Sequence, residues 1–294
     1  MKNNIVFYIR ALFHESIMPG NEKNNKPNMI KLVDIFNQFS KISVQEYRTK
    51  VHEIQIKNLS KISNRIIYNN AEINLKRKFN YTYSILQKQT IEKFKQLNDE
   101  DFVIPLDDDD WLSPEIANLD FKKNALNCWN CISFSHNQKI IGVFEHARNK
   151  YIPDVIETEI QLEDSRGLLS NCQCIPAFLI KHLISINRID ILQPLLQRHT
   201  TPRRLIRESP IKEINIKENL IDESLAVYVR HAANVTLFDK MSNYGKEDDY
   251  SLELYNNAIT PYKLADYKNI KNLSPCYEWT LEYLEELKEL NQIL

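Results

Sequence analysis

The stretch that decides the fold is residues 101–115, which read DFVIPLDDDDWLSPE. Its apolar run at 102–106 is typical of a buried strand. The run leads directly into the consecutive aspartates at 107–110, and Ser113 followed by Pro114 is a typical helix start. The aspartates therefore fall at the carboxyl end of a predicted central strand. In open α/β sheets, ligands bind at that end of the strands.

We refer to residues 107–110 as the acidic turn. Four adjacent carboxylates repel one another, and the arrangement is costly between a strand and a helix unless a cation neutralises it. Oxygen ligands suit Mg²⁺ or Mn²⁺, which are commonly held by one or two carboxylates together with substrate phosphates. A solvated turn is the simpler interpretation of a charge run. The apolar strand before it and Trp111 after it favour a functional site.

The composition argues against several classes of function. The chain has 294 residues, of which 43% are hydrophobic and 26% charged, with a net charge of −1 and only four glycines. This balance predicts no nucleic-acid partner, and there is no glycine-rich phosphate loop. No apolar run approaches the roughly 18 residues of a membrane span. With no recognisable export signal and five cysteines, we expect a cytoplasmic protein with reduced thiols.

Apolar patterns elsewhere predict a chain in which strands and helices alternate. Arg10 follows the first strand, where it is either a cation for a phosphate or base, or a solvated loop arginine. Lys88, in a predicted helix, either lines a diphosphate or belongs to a solvated helix face. The predicted strands are 4–9, 51–56, 65–68, 102–106, 128–134 and 139–144, and the predicted helices are 29–39, 74–97, 115–127 and 275–294. We expect the last helix to pack its apolar face on the body of the protein.

A second informative stretch is residues 219–236, which read NLIDESLAVYVRHAANVT. The pattern places Asp222 and Glu223 in the first turn of an apolar helix, where the helix dipole favours carboxylates. His231 lies just over two helical turns further on. Residues 163–164, Glu-Asp, form a rival acid pair.

Together the two stretches resemble inverting nucleotide-sugar glycosyltransferases of the GT-A fold. In that group the sequence after the fourth strand reads like LDaDDwl.p, and this chain has LDDDDWLSP at 106–114. The second stretch is similar to the pattern DDPLWLQVIHGGNVS of bacterial rhamnosyltransferase-like proteins, with the same spacing from the acid pair to His-x-x-Asn. It departs from that pattern at Glu223, where the pattern has Asp, and at residues 232–233, where two alanines replace two glycines. The resemblance covers only these two windows.

The resemblance implies an α/β protein of GT-A type, with a mixed, Rossmann-like central sheet flanked by helices. The catalytic domain would span 1–245, and a C-terminal helical extension at 246–294 would pack on it. Asp107, Asp108 and Asp109 would form the D-x-D motif. Asp109 would be the main metal ligand, while Asp107 and Asp108 would lie at the donor, with Asp107 also near the metal. Asp110 would be a supporting carboxylate.

The same resemblance assigns roles in the second stretch. Glu223, or Asp222 beside it, would be the general base that deprotonates the acceptor hydroxyl. His231 would be a further metal ligand or a contact of the diphosphate. Arg10 and Lys88 would add positive charge for the donor.

The implied activity is transfer of a hexose or deoxyhexose from a UDP-, GDP- or dTDP-sugar to a glycan or lipid-linked glycan acceptor. It would use Mn²⁺ or Mg²⁺ and act in surface polysaccharide biosynthesis. The arginine-rich loop at 198–207 is a candidate for peripheral contact with the inner face of the membrane. The sequence leaves the nucleotide, the sugar, the acceptor and the oligomeric state open.

Two other functions compete with this one. A D-x-D after a strand also occurs in haloacid-dehalogenase-like phosphatases, and the acids at 247–249 could supply their late metal ligands. A structural zinc protein would use Cys128, Cys131, Cys172 and Cys174, although buried small hydrophobes are the simpler interpretation of these residues.

Overall fold

A computed structural model gives the architecture of the protein. Over the residues it describes, the chain is a mixed α/β protein with helices packed against a central sheet. The described residues are 4–11, 40–70, 86–134, 141–145, 150–153, 160–161, 170–197, 216–229, 231 and 279–291.

The described residues form a sheet of ten strands. These are β1 (Asn4–Ala11), β2 (Ile66–Asn70), β3 (Asp101–Asp107), β4 (Trp111–Leu112), β5 (Ala125–Phe134), β6 (Ile141–Glu145), β7 (Lys150–Pro153), β8 (Ile160–Gln161), β9 (Gln173–Pro176) and β10 (Lys217–Tyr228). The order is β2-β1-β3-β9-β5-β6-β7-β8, and β10 pairs with β4 and β5. β1 is parallel to both β2 and β3, and β10 is parallel to β5, whereas the other pairs are antiparallel.

β1 and β3 form the buried centre of the sheet. Residues 5–9 of β1 and 102–106 of β3 are all buried. Parallel strands covered on both faces read as continuous apolar runs rather than as alternating ones. The predicted strands at these positions are therefore confirmed, as are those at 65–68, 128–134 and 139–144, which correspond to β2, β5 and β6.

Helices occupy much of the remaining described chain. The α-helices are α1 (Val44–Ser60), α2 (Lys88–Lys95), α3 (Ala177–Ser185), α4 (Ile189–Gln197) and α5 (Leu281–Asn291), and a 3-10 helix spans Pro114–Asn118. None of the helices in the described part of the chain has the length and apolar character needed to cross a membrane.

Helix α1 occupies the segment 51–56, so the strand predicted there is wrong. Ser43 caps the helix, because its hydroxyl accepts a hydrogen bond from the N–H of Glu46 at 3.1 Å. Serine followed three residues later by glutamate is a known helix-start signal. The alternation of apolar and polar residues over 51–56 is a short part of a longer pattern, in which buried residues recur every three or four positions, as in a helix. Its buried positions include 44, 47, 51, 54 and 58.

Another predicted helix, at 115–127, is wrong beyond its first turn. The 3-10 helix ends at Asn118, and β5 begins at Ala125. Ser113 does cap this short helix, as expected, by accepting a hydrogen bond from the N–H of Glu115 at 3.3 Å. The described part of the helix predicted at 74–97 contains α2.

Helix α5 packs on α1, as predicted for the last amphipathic segment. Tyr283 is fully buried, and its ring centroid lies 5.6 Å from that of Trp111, the residue that follows the acidic turn. Lys57 of α1 and Lys61, the residue directly after it, each form an ion pair with Glu282 at 2.8 Å. The two helices therefore share an apolar contact with a charged rim. The division at 245/246 stays a prediction.

Several predictions fall outside the described residues. They are the helix at 29–39, the first part of the helix at 74–97, the acid pair at 163–164, the loop at 198–207 and the acids at 247–249.

An ion pair between the buried carboxylate of Asp101 and the partly exposed side chain of Arg65 fixes the start of β3. Nη1 and Nη2 of Arg65 donate to the two carboxylate oxygens of Asp101, each at 2.7 Å, and the N–H of Asn98 donates to Oδ2 at 2.9 Å. Burial of Asp101 opposes its ionisation. The hydrogen bonds from Arg65 and Asn98, with the positive charge of Arg65, outweigh that effect and lower the pKa of Asp101.

We expect Arg65→Met to lower the free energy of unfolding by about 1–3 kcal/mol, because it leaves a buried carboxylate with fewer donors. A lowered folded-state pKa stabilises the fold above the ordinary aspartate pKa of about 3.9. That stabilisation is lost as the pH falls through the lowered pKa of Asp101. The stability difference between wild type and variant, measured by urea unfolding, should therefore shrink below about pH 4.

Arg188→Met is the matched control. Nε and Nη2 of Arg188 donate to Asp190 at 2.9 Å, but this pair is exposed to solvent. Exposed ion pairs contribute little to stability. A loss in this variant equal to that of Arg65→Met, or a difference for Arg65→Met that does not depend on pH, would contradict the interpretation.

Candidate functional site at the acidic turn

The acidic turn lies where the parallel strands end. Arg10 of β1 is in register with Asp107 of β3, so the carboxyl ends of these strands meet at one edge of the sheet. In the strand order β2-β1-β3, the strand that follows β1 in sequence lies on one side of it, and the next strand, β3, lies on its other side. In open α/β sheets, such a reversal of strand order opens a crevice that binds ligands.

Arg10 offsets part of the negative charge of the turn. Its Nη2 forms an ion pair with Oδ1 of Asp107, whose side chain keeps 27% of its exposure. Arg10 itself is buried within β1, so its interpretation as a solvated loop arginine is wrong.

His231 lies against Asp109. Its Nε2 is 3.1 Å from Oδ2 of Asp109, and both residues are buried. The ring of Tyr47 covers the histidine, with 5.6 Å between the ring centroids. An ionised carboxylate only accepts hydrogen bonds, so Nε2 carries a proton in the metal-free contact and would have to release it to bind a metal ion. The structure therefore brings together the two stretches on which the resemblance depends.

Asp110 is the most deeply buried member of the turn. Its Oδ2 accepts a hydrogen bond from the N–H of Asp107 at 3.1 Å, whereas Oδ1 has no partner among the described residues. Burial, followed by the negative charges of Asp107 and Asp109, raises the pKa of Asp110 well above its usual range. A buried, incompletely bonded carboxylate beside other carboxylates is stabilised by a nearby cation.

Two amide side chains of α1 hold the backbone of this segment. Nε2 of Gln55 donates to the carbonyl oxygens of Asp107 and Asp110, at 2.6 and 2.8 Å. Nδ2 of Asn58 donates to the carbonyl of Leu112 at 2.9 Å, and its Oδ1 accepts from the N–H of Leu112 at 2.8 Å. These bonds satisfy backbone groups that the turn itself leaves unpaired, and they fix its shape.

His52 extends this network to Asp108. Its Nδ1 lies 2.8 Å from Oε1 of Gln55 and 3.2 Å from the carbonyl oxygen of Asp108, and its Nε2 lies 3.3 Å from the hydroxyl of Tyr68. Because both neighbours of Nδ1 are acceptors, the hydrogen-bond pattern assigns the proton to Nδ1, and Nε2 then accepts from Tyr68. Burial raises the pKa of Tyr68.

Sequence reasoning missed this network. His52, Gln55 and Asn58 fall in or beside a segment that was predicted as a strand. The helix-start signal at Ser43 and Glu46 could have corrected the prediction. Spacings of three residues would then have placed the polar side chains on one side of the helix.

The predicted helix around the acid pair is wrong, because Asp222 and Glu223 lie in β10. Residues 225–227 are buried, and a strand buried on both faces lacks simple alternation. Irregularities in the pairing of β10 with β5, between Ile221 and Ala226, further disturb the period. Glu223 is exposed, and residues 226–227 pair with β4, directly after the acidic turn.

Lys88 is not part of the cluster. It is exposed at the start of α2, and among the described residues no hydrogen bond or ion pair joins it to the acidic turn.

The side chains present fit a cation only in part. Within the described ranges, no group of three or more His, Cys, Asp or Glu side chains is arranged to hold a metal ion. Asp109, with His231 against it, and the unpartnered Oδ1 of Asp110 nevertheless offer candidate ligand atoms within or beside the acidic turn. This suits an ion such as Mg²⁺, which uses one or two carboxylates and takes other ligands from water and phosphate.

The cysteines behave as core residues. Cys128, Cys172 and Cys174 are buried in the hydrophobic core, and none of the three forms a disulfide with a described residue. Burial, with a smaller effect of Cys128, raises the pKa of Cys174 well above its usual range. That shift opposes formation of the thiolate that binds zinc. The side chain of Cys131 lies outside the described atoms.

Comparisons with protein-family models, with curated proteins and with solved structures found no match for this chain. Function must therefore be inferred from the residues and geometry of the site.

We expect Gln55→Met to lower the free energy of unfolding by about 1–3 kcal/mol, because two buried carbonyl groups lose their donor. Chemical denaturation in urea measures the change.

Gln45→Met is the matched control. Gln45 belongs to the same helix, but its side chain is exposed, so the same substitution should have little effect. Equal stabilities of the two variants would show that the bonds from Gln55 do not fix the turn.

Proposed function

We propose that the protein is a metal-dependent glycosyltransferase that moves a hexose or deoxyhexose from a nucleoside-diphosphate sugar to a glycan acceptor with inversion. The observation that carries this proposal is the contact of Asp109 with His231, at the carboxyl ends of the parallel strands. The mixed α/β sheet is compatible with the GT-A fold that the resemblance implies.

The acidic turn would hold Mn²⁺ or Mg²⁺ through Asp109 and His231, with the diphosphate of the donor completing the coordination. When bound, the cation would stabilise the negative charge that develops on the leaving diphosphate. The ion pair with Arg10 would hold the carboxylate of Asp107 in place beside the donor. The bonds from Gln55 hold the turn in one geometry before a ligand arrives.

A carboxylate of β10 would activate the acceptor. Glu223 is exposed, so a hydroxyl of a glycan or lipid-linked glycan can reach it from solvent. Removal of the hydroxyl proton by Glu223, or by Asp222 beside it, lets the oxygen attack the sugar carbon as the diphosphate leaves. A single displacement of this kind inverts the configuration at that carbon.

The first test measures thermal stabilisation by UDP, GDP, dTDP, CMP and ADP, each with and without Mn²⁺. A ligand that binds only the native state raises the melting temperature. We expect one nucleoside diphosphate to raise it when Mn²⁺ is present. Asp109→Asn should abolish most of that shift, because it removes a carboxylate ligand of the cation.

Asp120→Asn serves as the control, since Asp120 is an exposed aspartate outside the site. It should retain the full response. If no nucleotide stabilises the wild-type protein, with or without Mn²⁺, the proposal fails, and phosphatase activity and zinc content become the next measurements.

The second test addresses the base. Glu223→Gln should reduce kcat for release of nucleoside diphosphate from the donor sugar, in the presence of acceptor, by about 10²–10⁴-fold. The thermal response to nucleotide and Mn²⁺ should not change, because binding of the donor does not use this carboxylate.

Asp222→Asn is assayed in parallel to decide which member of the pair acts. Glu218→Gln, on the same strand, is the control and should keep wild-type kcat. Wild-type rates in both Glu223→Gln and Asp222→Asn would exclude this pair as the base.

A further inference from the structure

Arg48 of α1 is buried without an ion pair. It is 9% exposed, and none of the described carboxylates forms an ion pair or hydrogen bond with it. Buried arginines are normally paired, because removing a charge from water is costly. The buried Arg10 pairs with Asp107, and Arg65 pairs with Asp101, so Arg48 differs from both.

The guanidinium of Arg48 is not completely sealed from solvent. None of its side-chain nitrogens is both fully buried and without a hydrogen-bond partner. Because no described residue bonds to them, the small remaining exposure includes these nitrogens. These nitrogens therefore keep some contact with solvent and have no partner in the described part of the protein.

Arg48 lies on the side of α1 that carries the acidic turn. Positions 48, 52 and 55 share one side of a helix. His52 and Gln55 both contact the backbone of the turn. Arg48 precedes His52 by about one helical turn, which places it about 6 Å closer to the N-terminus of α1 along the helix axis. Its neighbour Tyr47 contacts His231, which in turn contacts Asp109.

We propose that Arg48 binds a phosphate group of the donor diphosphate; this inference rests on the proposed function. A diphosphate is repelled by the carboxylates of the acidic turn, and a single divalent cation offsets only part of that repulsion. Arg10 is already committed to Asp107. Arg48 supplies a further positive charge on the same side of the site.

Arginine suits this role chemically. Its planar guanidinium donates two parallel hydrogen bonds to a phosphate, which a lysine cannot do. A cation held for a ligand also leaves a recognisable signature. Its removal weakens binding of the ligand without destabilising the empty protein, because no internal partner is lost.

The test compares wild type, Arg48→Met and Arg48→Lys by calorimetric titration. The probes are inorganic pyrophosphate and UDP, GDP and dTDP, each with Mn²⁺. We expect Arg48→Met to weaken diphosphate binding at least about tenfold. The diphosphate affinity of Arg48→Lys should lie between those of wild type and Arg48→Met, because lysine keeps the positive charge but cannot donate two parallel hydrogen bonds to a phosphate. The melting temperature of the empty Arg48→Met protein should not fall below that of wild type.

Lys50→Met is the control, because position 50 does not face the same side of α1 as position 48. It should bind diphosphate as wild type does. Unchanged diphosphate affinity in folded Arg48→Met overturns the inference. If the melting temperature of Arg48→Met falls as far as that of Arg65→Met, Arg48 stabilises the fold, and the inference is also overturned. The exception is an Arg48→Lys protein that melts as wild type does but binds diphosphate more weakly, which would support the inference.

Two further outcomes separate the possible sources of phosphate and the two proposals. Farnesyl diphosphate serves as a probe for a lipid-linked acceptor. If Arg48→Met weakens only its binding, Arg48 serves the acceptor and the inference is overturned. If wild type binds no diphosphate probe with Mn²⁺, the glycosyltransferase proposal fails as well. If wild type binds a nucleoside diphosphate and Arg48→Met binds it equally, only the inference about Arg48 fails.

Discussion

The hydrogen bonds from Gln55 to the acidic turn are the constraint on which the rest of the site depends. One side-chain amide joins the carbonyl groups of Asp107 and Asp110, and so spans the turn. Asn58 continues the same pattern at Leu112. The backbone of the turn is thereby fixed from one side by α1. Its carboxylates can then crowd together without the turn opening to relieve their repulsion.

Side chains from two segments outside the turn contact its carboxylates. Arg10 of β1 pairs with Asp107, and His231, just after β10, contacts Asp109. Asp110 is buried, and this burial, with the negative charges of Asp107 and Asp109, raises its pKa and so disfavours its negative charge. Arg48 of α1 stands apart from these pairs. Under the proposed function, these groups would meet a metal diphosphate, a ligand that brings both positive and negative charge.

The central strands could be predicted because burial on both faces leaves a direct signature in sequence, and the carboxyl-end position of the aspartates followed from it. The contact between Asp109 and His231 had no local signature, and only the resemblance suggested it. Helix α1 was mistaken for a strand because a window of six residues was too short to show its period. β10 was mistaken for a helix because burial and irregular pairing hid its alternation. The contacts of Gln55 and Asn58 and the burial of Arg48 depend on tertiary packing, which no local pattern encodes.

The separation of Asp109 and His231 along the chain has a consequence for biosynthesis. The two residues are 122 positions apart, so the ribosome delivers the aspartates long before the histidine. During that interval a nascent chain can complete β1, α1, β2 and β3 and form the turn, yet it lacks the side chain that lies against Asp109. Any ligand that needs both residues can be captured only after residue 231 has left the exit tunnel. A site that requires both side chains is thus completed late in synthesis, by chain order alone.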